Sequence, residues 1–147
     1  MALFCHDLME KLELPKWDPD PTIGARVLFT GIVRGETDGD TTTALEYDAY
    51  EPMALLAMID LETEAIRCFG VRRAWLVHRL GRVGVGQTSV LALVEAGHRK
   101  AAFAACEWLM DEVKKRVPIW KKEIGPNGET WQHPPSGNLI PLSKRSP

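Results

Sequence analysis

Basic residues stand at the predicted ends of several helices and strands in this sequence. Together they could hold an anion, because guanidinium groups bind phosphate and carboxylate through paired hydrogen bonds and lysine supplies a compact positive charge. The set is Arg34, His98, Arg99, Lys114 and Lys121. Two of them, His98 and Arg99, open a predicted helix, where a cation opposes the helix dipole and favours an anionic partner. Each residue alone also has an ordinary explanation, since Lys and Arg solvate strand ends and last helical turns.

Helical geometry distinguishes two neighbouring lysines at the end of that helix. At about 100° per residue, Lys114 borders the apolar stripe between Met110 and Val117, whereas Lys115 points away from it. We therefore expect Lys114, and not Lys115, to line the rim of a pocket.

Other chemistries find little support in the residue pattern. The glycines Gly81, Gly84 and Gly86 lie between two predicted strands and do not open a helix, which a phosphate-binding loop requires. The histidines are scattered without a pair at metal-ligand spacing, and no serine nucleophile motif is present. The sequence thus predicts no metal site and no bound cofactor.

Length and composition predict one globular domain. A chain of 147 residues with 45% hydrophobic and 26% charged residues can bury a core without disulfides or metal ions. A net charge of −2 gives no attraction to nucleic acid, and no apolar run approaches the roughly 20 residues that span a bilayer. The N-terminus lacks the features of a signal peptide, so we expect a cytoplasmic protein, with Cys68 and Cys106 reduced and buried on helices.

Hydrophobic periodicity predicts strands and helices in alternation. Strands are expected over 24–34, 43–50, 71–79 and 88–96, with the first two as candidate partners, a mobile loop over 35–42 and a turn over 81–86. The first helix begins near Pro52 and ends at Gly70, and the second begins at His98 and ends before Pro118. Their expected buried stripes are Leu55, Ile59, Ile66 and Phe69, and Phe103, Cys106, Met110, Val113 and Val117.

The end of the chain divides into a hairpin and a tail. Short strands over 119–124 and 129–131 flank Gly125-Pro126-Asn127-Gly128, whose residue types suit a turn. Residues 132–147 hold four of the ten prolines and show no periodicity, which favours disorder. We therefore expect a single domain over 1–131 and a disordered, proline-rich tail over 132–147.

Four motifs resemble those of the molybdopterin synthase large-subunit family. They are GIVR at 31–34, ALEYDAYEPM at 44–53, the pair His98-Arg99 and RVPIWKKE at 116–123. The similarity covers roughly residues 22–131, with several motifs in the family's order. The resemblance implies an α/β (α+β) fold of the α/β hammerhead type, with two strand-helix-strand units and a small antiparallel hairpin subdomain.

The same resemblance implies an activity and partners. The activity is that of a sulfurtransferase, which makes molybdopterin from cyclic pyranopterin monophosphate. The two sulfurs come from the thiocarboxylated C-terminal Gly-Gly of a small ubiquitin-like subunit. A homodimer forms the core of a heterotetramer with that subunit. The implied catalytic residues are Lys114, for proton transfer, and Lys121, for holding the donor's carboxyl group. The implied substrate-binding residues are Ile32, Val33, Arg34, His98, Arg99, Lys114, Lys121, Lys122 and Glu123.

Helix length adds a constraint on these roles. The stretch from His98 to Lys114 spans roughly 24 Å of helix at 1.5 Å per residue, too far for both to contact one small pterin. If both act on one substrate, a symmetric dimer must bring the helix start of one copy to the helix end of the other.

Two other functions remain open on the residues alone. A non-catalytic module that grips a ubiquitin-like tail would need the groove at Lys121 but not His98 or Arg99. A nucleotide or RNA binder could use the same cations, but the acidic balance and the lack of an aromatic strand beside them argue against it.

Overall fold

The computed structural model describes residues 1–37 and 39–132, which form two four-stranded sheets, two helices and a small hairpin. The strands are β1 (Leu3–Cys5), β2 (Ala25–Ile32), β3 (Glu36–Thr37), β4 (Asp40–Thr41), β5 (Ala44–Ala49), β6 (Arg73–Arg79), β7 (Gly81–Gly84), β8 (Thr88–Ala96), β9 (Ile119–Gly125) and β10 (Gly128–Gln132). The helices are α1 (Glu51–Phe69) and α2 (Arg99–Arg116), with a 3-10 turn at Met9–Lys11. Apart from Gln132, which ends β10, the predicted tail lies outside the described residues.

The first sheet has the order β1-β6-β8-β2, with β1 parallel to β6 and the other neighbours antiparallel. The apolar run of β8 predicts a central strand, and β8 does lie between β6 and β2. Both helices pack on one face, where Leu61 of α1 and Leu109 of α2 share a core with Leu76. The opposite face is covered by the N-terminal segment, in which Met9 packs with Trp75.

The buried side of α1 differs from the predicted one. Ala54, Met58 and Ala65 face the core, whereas Ile59 and Ile66 are 38% and 40% exposed. Small side chains let a helix pack closely on its neighbours, so the alanines occupy the contact and the larger side chains remain outside. The predicted stripe of α1 is therefore wrong at these two isoleucines.

The helix α2 follows its prediction except at one position. Cys106 and Val113 are buried, as predicted, but Phe103 is 62% exposed because Ala102 takes the inward position. The prediction of a buried Cys68 is also wrong, since this thiol is exposed on α1.

The second sheet has the order β10-β9-β5-β7, and all its neighbours are antiparallel. The suggested pairing of β5 with β2 is wrong, because β5 lies between β9 and β7. The predicted turn over 81–86 contains the strand β7, which pairs with β5 through its backbone despite its glycines. The predicted β9–β10 hairpin is present, but it belongs to this sheet and forms no separate subdomain.

Each helix connects one sheet to the other. The helix α1 leads from β5 in the second sheet to β6 in the first, and α2 leads from β8 back to β9. The two strand-helix-strand units therefore occur in the chain, but their strands lie in different sheets, which makes the fold α+β. Among the described residues, neither helix has the length and apolar character needed to cross a membrane.

The segment expected to be a loop, 35–42, contains the short hairpin of β3 and β4. Next to it, the backbone N–H of Thr43 donates to the carbonyl of Ile124 at 2.8 Å, which fixes the hairpin against β9. Gly125 permits this approach, because a Cβ there would lie 2.8 Å from the backbone oxygen of Thr41.

A buried carboxylate links three strands of the first sheet, β2, β6 and β8, and through Arg73 the N-terminal segment. Glu95 on β8 accepts hydrogen bonds from Nε of Arg26 at 2.6 Å and from Nη1 of Arg73 at 3.0 Å. Arg73 also donates to the carbonyl of Asp18 at 2.9 Å and stacks over Trp17, 5.2 Å from its ring centroid. A buried carboxylate needs such partners, since an unpaired buried charge is strongly destabilising.

Candidate functional site

The end of β2 presents one arginine to solvent. Arg34 is exposed, and among residues 1–37 and 39–132 no carboxylate forms a salt bridge with it. The residue before it, Val33, is buried in a small cluster with Leu45 and Val83 of the second sheet. Ile32 is 56% exposed. The buried valine therefore anchors the backbone from which Arg34 projects.

Lys121 and Glu123 lie on one face of β9, because alternate residues of a strand point to the same side. Lys121 Nζ is 3.1 Å from Glu123 Oε1, and both side chains are mostly buried. Lys121 pairs across the ladder with Tyr47 of β5, and Tyr47 packs against the cluster around Val33. Val33, which follows β2, and Lys121 of β9 are therefore both neighbours of Tyr47.

Lys122 lies on the opposite face of β9. Its Nζ is 2.9 Å from a carboxylate oxygen of both Glu46 on β5 and Glu129 on β10, and 5.3 Å from the ring centroid of Trp131. Hydrogen bonds to Glu129 and Glu46 raise the pKa of Lys122. This lysine joins three strands of the second sheet on the side away from Lys121.

The cations of α2 occupy its two ends. His98 is the N-cap residue, in an extended conformation and without a side-chain cap hydrogen bond, and Arg99 follows as the first helical residue. Both are exposed, and no acidic residue occupies the first turn.

The last turn of α2 carries three cations in different surroundings. Lys115 Nζ lies 3.0 Å from Glu112, and Arg116 Nη1 lies 2.7 Å from Glu64. Lys114 is exposed and forms no salt bridge within the described part of the chain. Helical geometry predicted that the two neighbouring lysines point in different directions. They also differ in their ion pairs, since Lys115 is paired with Glu112.

Within one chain, the structure brings only part of the predicted site together. The eight-residue β2 has Arg34 beyond one end of its ladder with β8 and His98 beyond the other, roughly 25 Å apart at 3.3–3.4 Å per residue. Because α2 is unbroken, His98 and Lys114 are also separated by roughly 24 Å. The site within one copy therefore groups the end of β2 with Lys121 and Glu123 but not with the start of α2.

An aromatic pair next to these residues, half-buried Tyr47 and buried His78, was not predicted as part of the site. Tyr47 meets His78 edge to face, with ring centroids 4.9 Å apart and planes at 74°. Burial raises the pKa of Tyr47 and lowers the pKa of His78 to about 4, so that His78 is neutral at pH 7. Its Nδ1 lies 2.8 Å from the carbonyl oxygen of Arg79, which can only accept, so Nδ1 carries the proton of the neutral ring and donates it. The signal in the sequence was a tyrosine alternating with Leu45 and Ala49 on the apolar side of a strand.

A polar cleft of about 350 Å³ opens beside Glu123. It is lined by residues 39–42 of the β3–β4 hairpin and by residues 125–130 of the β9–β10 hairpin. Its carboxylates are those of Asp40, Glu123 and Glu129, so a cation must come from outside the cleft to hold an anion there. Over the same described ranges, no group of three His, Cys, Asp or Glu residues could hold a metal ion.

The chain was compared with models of known families and with known proteins. The family model described as MoaE protein matches residues 5–116, which is most of the chain. The chain belongs to the MoaE family. The function that goes with this membership is that of a molybdopterin synthase catalytic subunit, an enzyme of molybdenum cofactor biosynthesis.

Individual relatives agree with this membership. The molybdopterin synthase catalytic subunit of Pyrococcus abyssi is 44% identical over 108 residues, which cover 74% of this chain and 73% of the relative. The crystal structure of molybdopterin synthase from Staphylococcus aureus superposes with a TM-score of 0.73 at 40% identity, over 78% of this chain and 84% of that one. A chain in the complex of subunits 1 and 2 of molybdopterin-converting factor from Helicobacter pylori superposes with a TM-score of 0.62 at 30% identity. The superposition covers 75% of this chain and 72% of that one.

Proposed function

We propose that this chain converts cyclic pyranopterin monophosphate to molybdopterin with two sulfurs from a small ubiquitin-like subunit whose C-terminal Gly-Gly ends in a thiocarboxylate. Both reactants are anions, since one carries a phosphate and the other a thiocarboxylate. In each transfer the thiocarboxylate sulfur bonds to a side-chain carbon of the pterin while a C–O bond at that carbon breaks, which gives an acyl adduct between donor and pterin. Water then attacks the acyl carbon and breaks its bond to sulfur, so that the sulfur remains on the pterin as a thiolate and the donor leaves as a carboxylate. The chain must therefore hold two anions together and move protons between them.

The observation that carries the proposal is that Val33, which follows β2, and Lys121 of β9 are both neighbours of Tyr47. Arg34 projects from a backbone anchored by buried Val33, and Lys121 from a strand paired on both sides. Because the backbone is fixed before binding, only side-chain freedom remains to be lost when a ligand arrives. We assign the phosphate to the guanidinium of Arg34 and the donor's C-terminal carboxyl group to Lys121.

The remaining predicted residues have supporting roles in this proposal. Ile32, Val33 and Glu123 border the same region, and Glu123 holds Lys121 until the donor's carboxyl group replaces it. Lys122 acts from the other face of β9, by fixing this strand to β5 and β10.

The donor subunit is proposed from a relative. The Helicobacter pylori structure is a protein-protein complex of two subunits of molybdopterin-converting factor, and this chain superposes on a chain of that complex. We infer that this chain likewise binds a small subunit, whose tail reaches the region of Lys121 through the polar cleft. The cleft borders Glu123, so a tail lying in it would end close to Lys121.

A homodimer would complete the site. Among the strands that the structure describes, β2 is at the edge of its sheet, and Leu28, Phe29 and Ile32 are 46%, 41% and 56% exposed on it. If β2 paired antiparallel with the β2 of a second copy about a two-fold axis, Arg34 of one copy would lie beside the α2 start of the other. His98 and Arg99 would then join Arg34 at one substrate. The dimer would then have two identical sites. Each site would contain Arg34 from one copy and His98 and Arg99 from the other.

The proposal is tested by mixing the purified chain with thiocarboxylated donor and cyclic pterin and measuring the dithiolene product. Lys114→Ala should lose activity by about a hundredfold or more, as expected for a group that transfers protons. Lys115→Ala is the matched control, because Lys115 is one residue away but paired with Glu112. Equal activity of the two variants, with both folded by circular dichroism, would overturn the role of Lys114.

The dimer is tested by complementation. Chains with Lys114→Ala and chains with His98→Ala, each inactive alone, should regain activity when they are mixed and allowed to exchange. One of the two sites in each mixed dimer would then have all its residues. Absence of any recovery in a mixture shown to contain mixed dimers would refute a shared site.

Three finer assignments complete the proposal. The first two are an α/β hammerhead type of fold and action in the cytoplasm, which are supported by membership of the family. The third is a domain over residues 1–131 with 132–147 as a tail, which is supported by the prolines and the missing periodicity of the tail sequence. Limited proteolysis should remove the tail and leave residues 1–131 intact. A cleavage pattern that begins inside the domain would contradict this division.

A further inference from the structure

A buried arginine lies beneath the turn that joins β7 to β8. Arg79 is only 8% exposed, and among the described residues it forms no salt bridge. Its Nη1 donates to the side-chain oxygen of Gln87 at 3.1 Å and its Nη2 to the carbonyl of Arg82 at 3.0 Å, while its Nε has no partner in the part of the chain that the structure describes. Hydrogen bonds from Thr88 and the charge of Arg79 lower the pKa of the exposed Glu10, but Glu10 forms no salt bridge with the guanidinium in the described part of the chain. Burying a guanidinium without a carboxylate in direct contact is costly, so its position calls for an explanation.

Gln87 links this arginine to the backbone of the turn. Its side-chain oxygen accepts hydrogen bonds from the backbone N–H of Gly84 at 2.9 Å and from Arg79. Its own backbone N–H donates to the carbonyl of Gly84 at 3.1 Å. Gly86 adopts φ 81°, a left-handed conformation that completes the tight turn. One glutamine oxygen thus sets the shape of residues 84–87.

This turn holds both neighbours of Arg34. The backbone N–H of Val33 donates to the carbonyl of Gln87 at 3.0 Å, and the N–H of Gly86 donates to the carbonyl of Val33 at 2.9 Å. On the other side of Arg34, a Cβ on Gly35 would lie 3.3 Å from Cγ1 of Val85, so the side chain of Val85 in the turn packs closely on the backbone of Gly35. A shift of the turn would therefore move the backbone that carries Arg34.

We propose that Arg79 and Gln87 are positioning residues, which place the guanidinium of Arg34 for phosphate binding through the 84–87 turn. Neither residue contacts the substrate in this arrangement. The inference rests on the proposed function of Arg34. It assigns a role to a buried arginine and to a glycine-rich turn that the sequence alone marks only as a turn.

The first experiment measures KM and kcat for the cyclic pterin in Gln87→Met and Gln87→Glu variants. Methionine has a similar shape but accepts no comparable hydrogen bond, so KM should rise about tenfold with little change in kcat, because a displaced binding group weakens substrate binding. Glutamate keeps the acceptor for Gly84 and Arg79 and should restore the KM of the unmodified chain. Thr63→Val, which removes an exposed hydrogen bond on α1, is the control and should change neither constant.

A double-mutant cycle with Arg34→Ala separates positioning from a general loss of stability. If Gln87 acts through Arg34, Gln87→Met should have no further effect on KM in a chain that already carries Arg34→Ala. Equal effects of Gln87→Met with and without Arg34 would overturn the proposal, as would an unchanged KM in Gln87→Met alone.

Amide hydrogen exchange gives a readout that does not depend on turnover. Exchange at Val33 and Gly86 should accelerate in Gln87→Met and remain slow in Gln87→Glu. If Arg34→Ala leaves KM unchanged while these amides respond as expected, the assignment of Arg34 fails. If Arg34→Ala raises KM and the amides do not respond, only the positioning role fails.

Discussion

Lys121 and Lys122 are consecutive on β9, but their ammonium groups have different partners. Lys121 faces Glu123 and the region of Tyr47, whereas Lys122 joins carboxylates of β5 and β10 on the other side. Motif similarity alone groups these residues into one pocket. The alternation of a strand separates them, and the partners supplied by other strands fix the separation.

His78 gives the chain a specific dependence on pH. Its pKa is about 4 in the folded chain and 6.5 when exposed, so between these values only the unfolded state binds the proton and stability falls as pH falls. Burial raises the pKa of Glu62, so the folded state takes up this proton first and stability rises as pH falls, which opposes the effect of His78. The effect of His78 on the pH dependence of stability must therefore be measured by comparing the unmodified chain with a His78 variant.

Urea unfolding at pH 7 and pH 5 measures that difference. From pH 7 to pH 5, the free energy of unfolding of the unmodified chain should fall by about 2 kcal/mol more than that of His78→Gln. Glutamine keeps a donor for the carbonyl of Arg79 but does not titrate. The same pH dependence in both chains would show that His78 is not buried in its neutral form.

Most elements could be predicted from the sequence, and most pairings could not. The apolar runs of β6 and β8 and the periodicity of α2 are local signals, and their bounds were predicted closely. The strand β7 was missed because its glycines resemble a turn, although its pairing with β5 needs only backbone groups. The partners of β5 and β2 depend on contacts between distant parts of the chain, for which a single sequence carries no signal.

The candidate site shows the same division. The types of Arg34, Lys114 and Lys121 and their places at element ends were visible in the sequence. The ion pair of Lys121 with Glu123 could not be derived, nor could the turn that fixes Val33, because both require tertiary packing.

The contact between the β3–β4 hairpin and β9 depends on a missing side chain. Gly125→Ala should destabilise the chain by about 1–3 kcal/mol, because the new Cβ would meet the backbone oxygen of Thr41 at 2.8 Å and the hairpin must move. Urea unfolding measures this loss. Asn127→Ala in the same turn is the control and should stay within about 0.5 kcal/mol, since this side chain is exposed. A neutral Gly125→Ala would mean that the hairpin does not lie against β9.

At the scale of the whole molecule, the exposed edge of β2 predicts self-association. Leu28→Lys should place a charge on this edge and convert a dimer into a monomer of 16.4 kDa, measured by sedimentation equilibrium. Leu56→Lys on α1 is the control, because Leu56 is also exposed but lies away from β2. A dimer that persists in Leu28→Lys would place the interface elsewhere.

The position of β2 in the chain also matters while the protein is being made. Ala25 pairs with Ala96, so β8, which is the neighbour of β2 in the described sheet, ends about 70 residues later in the chain. At roughly 5–20 residues per second, a ribosome needs between roughly 4 and 14 seconds to cover that distance. For those seconds β2 is an apolar strand with both edges open. Slowing translation between residues 32 and 88 should therefore increase aggregation of the nascent chain.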